Sequence, residues 1–234
     1  MTQYTLAFIS LFSFLKLASQ DKIVSIPINS VGDTTSYYQE AKDLIYAHKL
    51  NDLKETTYKV HLRIWTEKQI TEIYYNEISN LTCFITHYTI SKPTNNKKPK
   101  RYSQRTKLDP IKTTQLLQLI DSLGILNMPS EENIDCWGTY EGWKLVCKDG
   151  SRYFIESSNT NSYFFKTYTC PGTRNTCELE KQFYIFINKL EKYTESELTH
   201  SKFIKKLPKG YYYNGGIGMY TNLKKQADNK KNSR

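Results

Sequence analysis

The sequence predicts an α+β domain: a mainly antiparallel meander sheet packed against a few helices, in one domain. Three observations carry this. Residues 58–65 alternate apolar and polar side chains, as a half-buried strand does. Residues 110–123 repeat Leu116, Leu119, Ile120 and Leu123 at helical spacing. Asp149-Gly150 between two strand-like runs is a two-residue hairpin signal, which makes neighbouring strands antiparallel. Helices with one apolar face beside strands that need one face covered give a sheet-plus-helix layer.

Each element follows in chain order. Residues 22–31 read as a short extended stretch containing Pro27. Residues 35–50 read as a helix, with Tyr38, Ala41, Leu44, Ile45 and His48 on one face. In 58–65, Tyr58, Val60, Leu62 and Ile64 face the core, with Lys59, His61 and Arg63 on the polar side. Residues 70–78 fit strand or helix equally well. Residues 81–90, rich in Thr, Ile, Phe and Tyr, read as a strand.

Residues 92–107 hold seven basic residues, no acidic ones, and Pro93, Asn95, Asn96 and Pro99; they read as a basic loop. Asp109 as N-cap, Pro110 at the first helical position and Gly124 at the C-terminal end delimit the best-marked helix. Beyond Pro129, residues 143–148, 151–157 and 162–169 read as the three strands of the meander. Asn175-Thr-Cys-Glu178 matches a capping box opening a helix with Leu179, Phe183, Phe186, Ile187 and Leu190 on one face. A shorter helix is expected over 197–207, then a Tyr- and Gly-rich stretch and a disordered basic tail over 208–234.

Length and composition agree with one core: 234 residues, 38% hydrophobic, 14% aromatic including 19 Tyr, mean hydropathy −0.62. The net charge of +10 resides mainly in 92–107 and in the tail from Lys224, so the remainder is close to neutral. Charge on segments of loop composition argues against a nucleic-acid interface.

Residues 6–17 (LAFISLFSFLKL) are apolar apart from Lys16 and lead to Ala18 and Ser19. That length suits the apolar region of a signal peptide over 1–19 and is too short to span a bilayer. A buried N-terminal helix is the structural alternative. The run resembles Bacteroidetes-type secretion signals that end in a small residue, here before Gln20-Asp21-Lys22, although residues 1–5 lack the usual Lys or Arg. Residues 20–57 are then an N-terminal extension with a helix, and 58–207 the α+β domain. Export, to periplasm or medium, makes disulfides expected among the five cysteines. Cys170 and Cys177 bracket a Pro-Gly turn and are the expected pair. Cys136 could pair with Cys147 if the chain folds back between Trp137 and Trp143, and Cys83 in its apolar run is expected to be a buried free thiol.

No phosphate-binding loop, nucleophile elbow or zinc motif occurs, and neither cofactor nor metal is implied. Gly215-Gly216-Ile217-Gly218 lacks the βαβ context of a dinucleotide loop. Cys83 and His87 are too far apart along a strand to share an ion. Glu131, Glu132 and Asp135 could do acid–base work on a polymer, but a solvated loop accounts for them. Tyr211, Tyr212 and Tyr213, with Trp137 and Trp143, are the candidate binding residues, an aromatic surface for sugars or a partner peptide. Trp137-Gly138, Glu141-Gly142, Tyr153-Phe-Ile-Glu156 and Tyr163-Phe-Phe-Lys-Thr-Tyr168 look like uncharacterised exported domains from Bacteroidetes-type bacteria. The resemblance implies a cell-envelope context and no particular chemistry. The expectation is a non-catalytic exported binding or envelope-associated protein, with an envelope polysaccharide or protein as the candidate partner. The rivals are a carboxylate hydrolase of envelope polymers and an anionic-polymer binder that uses the basic loop.

Overall fold

A computed structural model describes residues 22–28, 31–76, 80–92, 98–141, 143–144, 150–172, 177–214 and 217–221. Its strands are β1 (Ile23–Ser25), β2 (Val60–Trp65), β3 (Gln69–Tyr75), β4 (Thr82–Ser91), β5 (Arg101–Lys107), β6 (Thr139–Tyr140), β7 (Trp143–Lys144), β8 (Arg152–Ser158), β9 (Ser162–Thr169), β10 (Gly210–Asn214) and β11 (Ile217–Thr221). Its helices are α1 (Ser36–Ala47), α2 (Pro110–Ser122), α3 (Glu178–Thr194) and α4 (Ser196–Lys206). Nine strands form one sheet in the order β1-β9-β8-β2-β3-β4-β10-β11, with β5 on the other edge of β4. Every pairing is antiparallel except β1 with β9, so the fold is α+β with a mainly antiparallel sheet, the expected class. No described helix is long and apolar enough to cross a membrane.

Strand alternation sends two sets of side chains to two covered faces. On one face Leu62, Ile64, Ile73, Ile85, Ile155 and Tyr168 pack against Leu116 and Ile120 of α2 and Phe183, Phe186 and Leu190 of α3. His87 on that face meets His200 and Phe203 of α4. On the other face Trp65, Tyr88, Phe154 and Phe165 lie beneath Tyr38 and Ala41 of α1 and Leu53 of a short 3-10 turn. The residues set apart by sequence as an N-terminal extension therefore supply a strand and a cover to the same sheet.

This second cover corrects the reading of β2 as half-buried. His61 and Arg63 do not meet solvent; Arg63 is fully buried and bonds Glu72 at 2.9 Å and Glu156 at 3.1 Å. His61 Nε2 lies 3.0 Å from Glu72, and Arg105 donates to that carboxylate's second oxygen at 2.8 Å. Glu156 also accepts from the Trp65 indole and the Tyr163 hydroxyl. Polar alternation here marks a buried ion network, because each charge finds its opposite on the neighbouring strand.

The basic loop is also shorter than predicted. Residues 101–107 form β5, along β4 from Phe84↔Lys107 to Ile90↔Arg101. The basic side chains of this outer strand suit an edge that must not recruit further strands. Trp143–Lys144 pairs with Thr139–Tyr140 in a separate ribbon rather than in the main sheet. The meander is thus the β8–β9 hairpin followed onward through β2 and β3; the Asp149 turn lies outside the described residues, as do the 1–19 signal, Asn175, Gly215-Gly216 and the tail. The Tyr- and Gly-rich stretch pairs as strands β10 and β11.

The expected cap of α2 is present. Asp109 accepts from the backbone N–H groups of Ile111 (2.8 Å) and Lys112 (3.2 Å). Gly124, at φ +60°, closes the far end: its N–H reaches Asp121 O and that of Ile125 reaches Ile120 O. α3 opens at Cys177, with no side-chain cap from that residue.

The disulfide differs from the expected one. Cys177 pairs with Cys136, Cα atoms 5.3 Å apart, and Cys170 is disulfide-bonded elsewhere. The cause is long-range anchoring that a local loop argument cannot register. The Trp137 indole donates to Thr169 O at 2.9 Å, Glu131 accepts from Thr169 N and Oγ1, and Glu180 accepts from Gly138 N and Gly172 N. Together they hold Cys136 at the start of α3. Cys83 is the buried free thiol expected.

Candidate functional site

A groove on the α1 face begins where β2 and β3 turn and β10 takes over pairing with β4. Ile90 sits opposite Arg101 of β5 on one edge and opposite Tyr213 of β10 on the other, so β10 occupies the edge of β4 beyond the end of β3. Thr89 Oγ1 donates to Tyr213 O at 2.8 Å and Lys92 N to Tyr211 O at 2.8 Å, fixing the register. Tyr211 and Tyr213, two apart on one strand, share a face; their rings lie 5.2 Å apart and each residue is 38% exposed.

Tyr213 lines a pocket of about 170 Å³ whose apolar floor is Trp65, Tyr88 and Phe154. Its wall is α1, through Glu40 and Leu44. Arg152 donates to Glu40 at 2.8 Å across the rim. The pocket shares Glu40, Leu44 and Ile90 with a wider depression of about 550 Å³ that adds Gln39, Asp43 and Arg101. Lys92 Nζ sits 5.2 Å from the Tyr211 ring centre, a cation over an aromatic face. The site combines exposed aromatic faces, an apolar floor and charged groups on the rim.

The floor's polar tips are committed inward. Trp65 Nε1 donates to Glu156 at 2.8 Å and the Tyr88 hydroxyl to Thr66 O at 3.2 Å. Burial raises the Tyr88 hydroxyl above its ordinary value, so it stays neutral. His48 packs on Tyr88 at 4.9 Å; burial first and Arg101 second push it down to about 4, and its Nε2 is buried without a partner. A neutral floor below a charged rim favours an uncharged ring face over a buried ion.

The predicted binding residues separate into four places. Tyr211 and Tyr213 meet at the groove. Tyr212 points to the opposite face, buried against Tyr102 at 5.6 Å, its hydroxyl on Pro208 O. Trp137 is core, packed on Tyr168 and Phe183, and is unavailable as a stacking surface. Its exposure is 5%, whereas Trp143, in the β6–β7 ribbon, is 79% exposed. The acidic cluster is not a solvated loop: Glu131 accepts from Thr169 N at 2.6 Å, and Glu132 accepts from Thr167 Oγ1 at 2.6 Å and bonds Ser130. These carboxylates fasten the 130–137 segment to β9. Among the described residues, no cluster of three or more His, Cys, Asp or Glu could hold a metal.

Sequence reasoning missed Trp65, Tyr88, Phe154, Arg152 and Glu40. The available signal was parity: Trp65 follows Arg63 on the face opposite Leu62 and Ile64, and Phe154 follows Arg152 in the same way. No family model matches the chain, and no curated protein matches it.

Proposed function

We propose that the protein is an exported, non-catalytic binding protein that holds a saccharide segment of an envelope polymer in the α1–β10 groove. One observation carries the reading: exposed Tyr211 and Tyr213 run without interruption into an aromatic-floored pocket bearing the Arg152–Glu40 pair. A sugar ring presents a C–H face that packs on aromatic rings and an edge of hydroxyls that both donate and accept. The tyrosines suit the first, and the guanidinium and carboxylate suit the second. Export is supported by the apolar run over 6–17 and by the Cys136–Cys177 disulfide.

Affinity electrophoresis through gels containing envelope polysaccharide tests binding. Wild-type protein is expected to be retarded, and a Tyr211→Ala/Tyr213→Ala variant to lose about tenfold or more in affinity, since stacking contributes about 0.5–1.5 kcal/mol per ring. No new reducing ends should appear during the incubation. Retardation unchanged in the variant contradicts the site, and accumulating reducing ends would turn the reading to a hydrolase.

A further inference from the structure

A second groove lies at the opposite end of the sheet, where β1 adds to β9. It measures about 530 Å³. One wall is the chain from Ser25 to Ile28, held by the β1–β9 register and by Thr35 N donating to Pro27 O at 3.2 Å. The other wall is the segment after α2, from Leu126 to Asn133, redirected by Gly124. Tyr168 holds that segment, its hydroxyl 3.2 Å from Met128 O and 3.0 Å from Pro129 O. Phe164 and Lys166 of β9 line the groove between these walls.

Lys166 is the unusual feature. Only 9% exposed, its ammonium donates to Leu126 O at 2.6 Å and Met128 O at 2.8 Å, both neutral carbonyls. Among the described residues, those two bonds leave one of its three N–H groups without an acceptor. No described carboxylate comes within 4.0 Å. Burial pushes the amine down to about 8, with no opposing charge to lift it. A buried cation facing a groove and lacking a counter-ion calls for an anion from outside. Among the groove's lining residues Glu132 is the carboxylate, and its two oxygens are occupied by Ser130 and Thr167. Its charge opposes a dianion. Ile28, Leu126 and Phe164 line the same space and are exposed apolar side chains.

We propose that this groove binds a monoanionic amphiphile, an alkyl carboxylate whose head accepts from Lys166 and whose chain lies over Phe164, Ile28 and Leu126. The assignment is independent of the saccharide groove, with which it shares no lining residue. Calorimetric titration of the full chain with sodium octanoate and, separately, with octanamide provides the test. Octanoate is expected to bind about tenfold more tightly than octanamide, as a charge-assisted bond to a buried ammonium requires. Lys166→Met should remove that preference while changing octanamide affinity less than about twofold, because the chain contacts remain. In wild-type protein, NMR titration of the Lys166 amine should show its pKa rising on saturation with octanoate, a readout that stands even where Lys166→Met fails to fold. Equal affinity for the two probes, absence of octanoate binding, an unmoved amine pKa, or a preference that survives Lys166→Met would overturn the proposal.

Discussion

Arg63 shows how much a single side chain holds together. Its guanidinium is buried between Glu72 and Glu156 and also donates to Asn51 O at 3.0 Å, tying β2, β3 and β8 to the loop before the 3-10 turn. Removing it leaves fully buried Glu156 with neutral donors only, while Glu72 keeps Arg105 and His61. Arg63→Met should therefore destabilise by about 3–5 kcal/mol in urea unfolding, far more than an exposed ion pair would. The same network sets the response to acid. Burial alone would raise Glu72, but the His61 hydrogen bond and Arg63 hold it at about 2. Its folded value is depressed, so its stabilisation is present above about 4.5 and lost as pH falls towards 2. Half-buried His48 and buried His200 are each lowered from 6.5 to about 4, chiefly by burial. A depressed histidine stabilises fully above 6.5 and loses that contribution as pH falls to 4, since the unfolded chain binds the proton first. The urea midpoint should thus decline in two stages, below 6.5 and again below 4.5, with His48→Phe weakening only the first. A midpoint constant from 6.5 to 4 would contradict the buried placement of these rings.

Among the elements, α2 was the most legible because its ends are local chemistry: Asp109 caps, Pro110 starts and Gly124 stops it. Gly124→Ala places a Cβ at φ +60°, where nothing obstructs it sterically. The cost is backbone strain alone, about 1–2 kcal/mol in thermal or urea unfolding. β5 was illegible for the opposite reason. Its residues Arg101–Lys107 are polar on both sides, and only pairing to β4 makes them a strand. β2 was recognised as a strand but assigned one solvent face, because alternation reports that two faces differ without reporting that both are covered. β10 falls between these cases: tyrosine composition marked Tyr211 and Tyr213, but their position beside β4 depends on a register that only the folded sheet supplies.

For the whole molecule, the α+β class and the antiparallel sheet could be read from the chain, whereas the closures between distant segments could not. Cys136 and Cys177 are 41 residues apart in sequence, and the anchoring of Trp137 and Glu180 that joins them is tertiary. Closing a loop of that length is worth about 4 kcal/mol, more than the short Cys170–Cys177 loop would supply. A Cys136→Ser/Cys177→Ser variant should lose about that much against denaturant, and non-reducing peptide mapping should recover the two cysteines in one linked pair. The two grooves follow the same logic, since each is assembled from segments that meet only after β1 and β10 join the sheet. Of the α1–β10 groove, two tyrosines were visible in sequence, while the floor and the Arg152–Glu40 pair required the packing of α1 across the strands.

The most direct test of the saccharide assignment is backbone amide NMR of the protein titrated with soluble fragments of envelope polysaccharide. The account predicts saturable shifts concentrated at Tyr211, Tyr213, Ile90, Arg101, Arg152 and the Glu40 turn of α1, with the Lys166 groove unmoved. Shifts confined to another surface, or no shift at saturating saccharide, would contradict it.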